Sequence, residues 1–153
     1  MAYQKLQAER ALKVIPSDTI NIPNVAGPSV SGTTTGDAAN KLVDSTASFT
    51  SNLLGYIVYN TTDSTVATVT AVDDANTLSL SADIMDSGEA YTLYADDNNG
   101  CVLQTGLAGT IRVLTIGGDD VTFSVVAGAF VPVQVKRVLE SSTMFPSDII
   151  ALW

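Results

Sequence analysis

Three pairs of adjacent acids, Asp73-Asp74, Asp96-Asp97 and Asp119-Asp120, come nearest to chemistry in this chain. Two close carboxylates can share a proton or hold a divalent cation. Asp96-Asp97-Asn98-Asn99-Gly100 superficially matches a calcium loop. However, a loop with Gly100 at its sixth position would start at Ala95 and end at Gly106, and neither is a carboxylate. All three pairs lie in Asp-, Asn- and Gly-rich stretches, where an aspartate bonds its own backbone and turns the chain. The pairs are therefore read as turn formers.

Other chemistries lack their parts. There is no histidine, so the commonest general base and metal ligand is missing, and the single cysteine, Cys101, has no imidazole to activate it. Cys101 reads as a small buried residue. Gly106, Gly109 and Gly117-Gly118 open no helix and precede no Gly-Lys-Ser/Thr, so they read as turns rather than a phosphate loop. Asn60-Thr61-Thr62 is a glycosylation sequon by pattern alone. No catalytic, cofactor-binding or metal-binding residue is assigned, and no enzymatic activity is expected. Tyr56, Tyr59, Tyr91 and Tyr94 could form a sugar platform, but each pair is spaced by three, which sends its rings to opposite faces of a strand. Lys136-Arg137 reads either as a clamp on acidic residues of a neighbour or as a solvated strand face.

Charge is unevenly distributed. The chain of 153 residues has a net charge of −9, and residues 37–97 hold ten acids against Lys41 alone, leaving the remainder neutral. A basic stripe for nucleic acid is absent, and no run reaches the roughly 18 apolar residues of a membrane helix. The N-terminal "MAYQKLQAERALKV" carries charges throughout and does not resemble a secretory signal, so synthesis in a cytoplasm is expected. A strongly acidic segment keeps itself solvated, whereas a neutral, valine-rich remainder tolerates close association.

The elements that position these residues are strands. Eighteen threonines and 17 valines favour pleated sheet. Residues 1–15 read as a short helix or an extended arm, 19–22 as a short strand, and 24–40 as a linker. Five strands follow near 41–44, 56–60, 65–72, 77–81 and 91–94, with a bend or bulge near Thr68 where valine parity slips. They suit a small barrel of SH3-like or OB-like type. After a turn at 95–101, Ile111/Val113, Val121/Phe123/Val125 and Val131/Val133/Val135 each alternate inward, with a phase shift at Arg137-Val138. Gly117-Gly118 is expected to supply a two-residue hairpin turn. The run Ile149–Trp153 is too apolar for a free end, and is expected to be a strand locked in a sheet or pressed against a neighbour. The expected fold class is all-β: an antiparallel, jelly-roll-like sandwich from residues 1–30 and 97–153, with a small acidic barrel, 31–96, inserted.

The outer pieces resemble the small spike-base, or capsid decoration, proteins of tailed-bacteriophage heads and gene transfer agent particles. The resemblance rests on Pro16–Thr19, Gly117-Gly118, Val121–Phe123, Ala127-Gly128, Val131–Val135 and the closing Ile149–Trp153, in that order. "ESSTMFPS" stands where that family has a Gly-Thr-Thr-rich stretch. The inner piece resembles a small β module inserted in phage virion proteins. The resemblance implies a structural role on the outer surface of a phage particle, made in a bacterial host. It also implies a homo-oligomer, trimer or pentamer, in contact with the major capsid protein or other virion proteins and with a possible fibre protein. Interface positions are expected at Lys13, Ile15, Lys136, Arg137, Leu152 and Trp153. A receptor- or carbohydrate-binding module of a tail or fibre is the alternative.

Overall fold

A computed structural model describes residues 8–142 and 148–153. The chain is all-β and divides into two compact units: residues up to Ile22 with Asn98–Trp153, and Pro23–Asp97. The first is called the base here and the second the insert.

In the base, one antiparallel sheet is ordered β1-β12-β8-β11-β9-β10. Its strands are β1 (Ala11–Lys13), β8 (Cys101–Thr105), β9 (Gly109–Thr115), β10 (Asp120–Val125), β11 (Phe130–Val138) and β12 (Ile149–Leu152). β11 is flanked by β8 on one side and β9 on the other. Its register shifts between Val131 and Val135 against β8, and between Val135 and Arg137 against β9. Such irregularities bend a strand and raise its twist. They also explain the slip of phase at Arg137-Val138, since Val135 and Val138 are both buried. The inward residues Leu103, Ile111, Val113, Val131, Val135, Ile149 and Ala151 form one buried cluster with Val14 and Ile22. A sheet bent around its own apolar face is a sandwich with one continuous wall.

The expected strand at 19–22 is absent. The N-terminal segment instead lies along the sheet on widely spaced bonds, from Val14 N–H to Ile149 O, Ser17 N–H to Val138 O and Ile22 N–H to Lys136 O, each 2.9 Å. Pro16 and the turn at Ser17, whose Oγ accepts the Ile20 N–H at 3.0 Å, prevent a continuous ladder. Nor is there a helix in the described part of 1–15, because Ala11–Lys13 pairs with Ile150–Leu152. The hairpin between β9 and β10 is a three-residue loop rather than two. Gly118 N–H bonds Thr115 O and Thr115 N–H bonds Asp119 O, with Gly118 alone at positive φ, 94°.

The insert sheet runs β2 (Val30–Thr33), β7 (Ala90–Tyr94), β4 (Ile57–Asn60), β5 (Thr65–Asp74), β6 (Thr77–Leu80) and β3 (Lys41–Val43). The segment after β2 reaches the far edge: Gly36 bridges Val43, and Thr35 N–H bonds Val43 O at 2.8 Å. That contact closes the sheet toward a barrel around Leu42, Val58, Ala67, Val69, Leu78, Tyr91 and Leu93. β5 shifts register twice against β6, between Val69 and Ala71 and between Val72 and Asp74, and the first shift returns Val72 to the inside.

The stretch read as a linker contains β2, an edge strand too polar to be recognised from its pattern. A boundary after residue 30 would also cut β2, and Asn24 N–H bonds Ala95 O at 3.0 Å, so 23–30 belong to the insert.

Candidate interaction surface

Residues directly opposite in an antiparallel pair project to the same side of the sheet. In the base, one row runs Leu12–Ala151–Leu103–Val131 across β1, β12, β8 and β11, and its last three members are at most 1% exposed. The rows on either side of it face outward. They are Ala11–Leu152–Val102 and Lys13–Ile150–Gln104–Phe130. Alternation adds Ile15 and Pro132 to that face, and Asp148 at the end of the β12 row. Lys13 is the one charged residue in the two rows, and Phe130 is 60% exposed.

The end of this face is extended by two loops. Thr105 Oγ1 donates to Val126 O at 3.0 Å, and Gly128 N–H donates to Thr105 O at 2.7 Å. This brings the 126–129 turn beside the loop that follows Thr105. Val126 is 70% exposed and Leu107 53%. Three of the most exposed large apolar residues thus lie at one end of a face built from the half-buried Val102, Ile150 and Leu152. Contiguous exposed apolar surface of this kind marks interaction sites on soluble proteins.

The positions singled out from sequence separate into two groups. Lys13, Ile15 and Leu152 lie on this outward face. Trp153 does not: it packs against the core, and its Nε1–H donates to Asn98 Oδ1 at 3.1 Å. Its carbonyl accepts the Glu9 N–H at 2.6 Å, and its own N–H reaches Arg10 O at 3.1 Å. The terminal residue is therefore an anchor in its own sheet. Arg137 forms an intrachain clasp. Its Nε and Nη2 reach Asn21 Oδ1 at 3.1 and 2.8 Å, and its Nη1 reaches Asp18 O at 2.6 Å. Asp18 Oδ1 in turn accepts the Glu140 N–H at 3.0 Å, so the Pro16–Thr19 block is a structural tie. Lys136 is half-buried, and its carbonyl holds Ile22. Val102, Ile150, Phe130, Leu107 and Val126 were not singled out from sequence. The alternation of Cys101, Leu103 and Thr105 against Val102 and Gln104 is the signal that β8 offered.

Several of the remaining chemical candidates are held within the fold. Asp74 Oδ1 accepts the Asn76 N–H at 2.7 Å, as a turn-forming acid does, whereas at Asp119 the backbone N–H donates to Thr115 Oγ1 at 3.0 Å. Arg112 grips Asp120 with two bonds, 2.8 and 2.6 Å, and holds its carboxyl below the usual range. Lys41 does the same to Asp73, at 2.6 Å, with Ser79 adding to it. Cys101 is buried, which pushes its thiol up to about 12 and leaves it unreactive. Asn60 is buried at 0% exposure, with its amide on Ile84 O and Glu89 Oε2, so the sequon is inaccessible.

The tyrosines of the insert form no exposed platform. Tyr91 is core, donating to Asp44 Oδ2 at 2.7 Å; Tyr59 is 5% exposed and meets Tyr94 edge-on at 5.7 Å; Tyr56 packs against the core. An acidic hollow of about 200 Å3 is lined by Asp63, Thr65, Asp83, Ile84, Met85, Asp86 and Glu89. Among the described residues, however, no group of three or more candidate ligands is placed to hold a metal ion, and no helix is long and apolar enough to cross a membrane. Comparison with protein-family models, with curated proteins and with solved structures yields no match to this chain.

Proposed function

We propose that this protein is a non-enzymatic structural component of a bacteriophage particle, a decoration or spike-base protein on the outside of the head. The observation that carries the proposal is the outward face of the base, where Val102, Phe130, Pro132, Ile150 and Leu152 present apolar surface, with Lys13 and Gln104 in the same rows and Asp148 at their end. Burying such a face at about 25 cal/mol per Å2 fixes an assembly without any chemistry. The neutral base associates with copies of itself and with the shell, while the acidic insert stays in solvent. The family resemblance of the outer pieces points the same way.

Val102→Asp and Phe130→Asp test this reading, since both side chains leave the core row untouched. The expected result is a folded protein that no longer joins particles, beside a wild-type chain that imaging locates on the head surface. Retained incorporation of the double variant, or absence of the wild-type chain from intact particles, would refute it.

A further inference from the structure

β10 is the outermost strand of the base sheet, bonded to β9 on one side and to no strand among the described residues on the other. The Thr115 N–H to Asp119 O bond sets the phase of this hairpin. Given the register, Val121, Phe123 and Val125 exchange backbone bonds with β9, and the N–H and C=O groups of Thr122 and Ser124 point to the open edge. Natural sheets blunt open edges with short strands, lysines, prolines or bulges. The opposite edge, β1, is blunted in this way: it has three residues and carries Lys13. β10 has six residues, and Val121–Val125 contains no charge, no proline and no break in register.

The order of residues on this edge points to its occupant. Val121-Thr122-Phe123-Ser124-Val125 reads almost the same in either direction. An antiparallel copy centred on Phe123 sets Val121 against Val125, Thr122 against Ser124, and Phe123 against Phe123. This is also a register the open edge allows, because Thr122 and Ser124 carry the outward-pointing groups that would exchange bonds. Phe123 and Val125 already lie half-buried against the core, so a partner strand extends that core past the edge. The acid at the end of the strand, Asp120, is neutralised by Arg112 of its own chain, and the base has no net charge to oppose self-association.

We propose that two copies of this protein pair through β10 about a twofold axis centred on Phe123, joining their base sheets into one. The proposal is independent of the virion reading, because it uses the sheet edge and not the outward face. It also predicts assemblies with an even number of copies.

Phe123→Cys tests the geometry. The central pair is of the closely spaced, non-hydrogen-bonded kind, within disulfide reach, and the buried Cys101 does not compete. Mild oxidation should link most chains in pairs. Thr122→Lys and Ser124→Pro test the energetics, since neither removes a backbone bond to β9. Each should halve the assembly mass in sedimentation while circular dichroism and the thermal midpoint of the base are retained. A trimeric or pentameric wild type, a monomer, an assembly unchanged by both variants, or pairing of β10 with a different protein only would overturn the proposal.

Discussion

Trp153→Ala should destabilise the base by about 3 kcal/mol and leave the insert unchanged. Trp153 is half-buried against the base core. An aromatic side chain offers roughly 150–250 Å2, so about 100 Å2 leaves water here, worth roughly 2.5 kcal/mol at 25 cal/mol per Å2. The Nε1–H bond to Asn98 adds about 1 kcal/mol. Asn98 Oδ1 keeps its second donor, the Gly100 N–H at 2.9 Å, so no buried acceptor is orphaned. Relaxation of the chain end returns a fraction of the total. Domain stabilities are typically about 5–15 kcal/mol, so this is a large share. Deleting Leu152-Trp153 also removes the pairing of Leu152 with Val102 and Ala11, and should unfold the base outright. Urea titration followed by circular dichroism should resolve the base transition, moved down by roughly 1–3 M in Trp153→Ala. Trp153 is the only tryptophan, so wild-type fluorescence reports the same transition. A shift below about 0.5 kcal/mol, or native emission identical to that of the unfolded chain, would refute the anchoring role.

Further outcomes concern the insert. Gly32→Ala should destabilise it by about 1–3 kcal/mol in urea, because a Cβ there would lie 2.5 Å from Tyr91 Oη and 2.7 Å from Asp44 Oδ2, two buried partners. Burial alone would raise the Asp44 carboxyl, but bonds from Thr46 and Tyr91 and from the Thr46 and Ala47 amides outweigh it and hold the group below its usual range. Its stabilisation is therefore present above about pH 4 and lost as pH falls through the folded value. Asp44→Asn should lower stability at pH 7 and flatten this acid limb of the insert's urea midpoint. Asp63 has the opposite sign: hydrogen bonding to Glu89 and repulsion from it raise the Asp63 carboxyl, so folding favours its protonated form and that contribution fades with rising pH. Asp63→Asn should thus raise or preserve the insert's urea midpoint at pH 7, and a clear drop would contradict the sign.

Much of this architecture is legible in residue order, because side-chain parity in a strand is a local property. The inward faces at Ile111/Val113, Val121/Phe123/Val125 and Val131/Val133/Val135, and the slips near Thr68 and Arg137, follow from period two alone. So does the conclusion that an apolar Ile149–Trp153 cannot hang free. Strand neighbours are a different matter, since they join residues far apart in the chain. That Ala11–Lys13 pairs with the last strand, that Gly36 reaches Val43 to close the insert, and that Arg137 grips Asn21 were decided only by long-range packing. β2 escaped recognition because an exposed edge strand has no apolar face to declare it, and Gly32 is needed there for the room its missing Cβ leaves to Tyr91. The outward apolar face is of the same kind. Val102, Ile150 and Phe130 belong to separate strands, and only the register of the folded sheet aligns them into one surface.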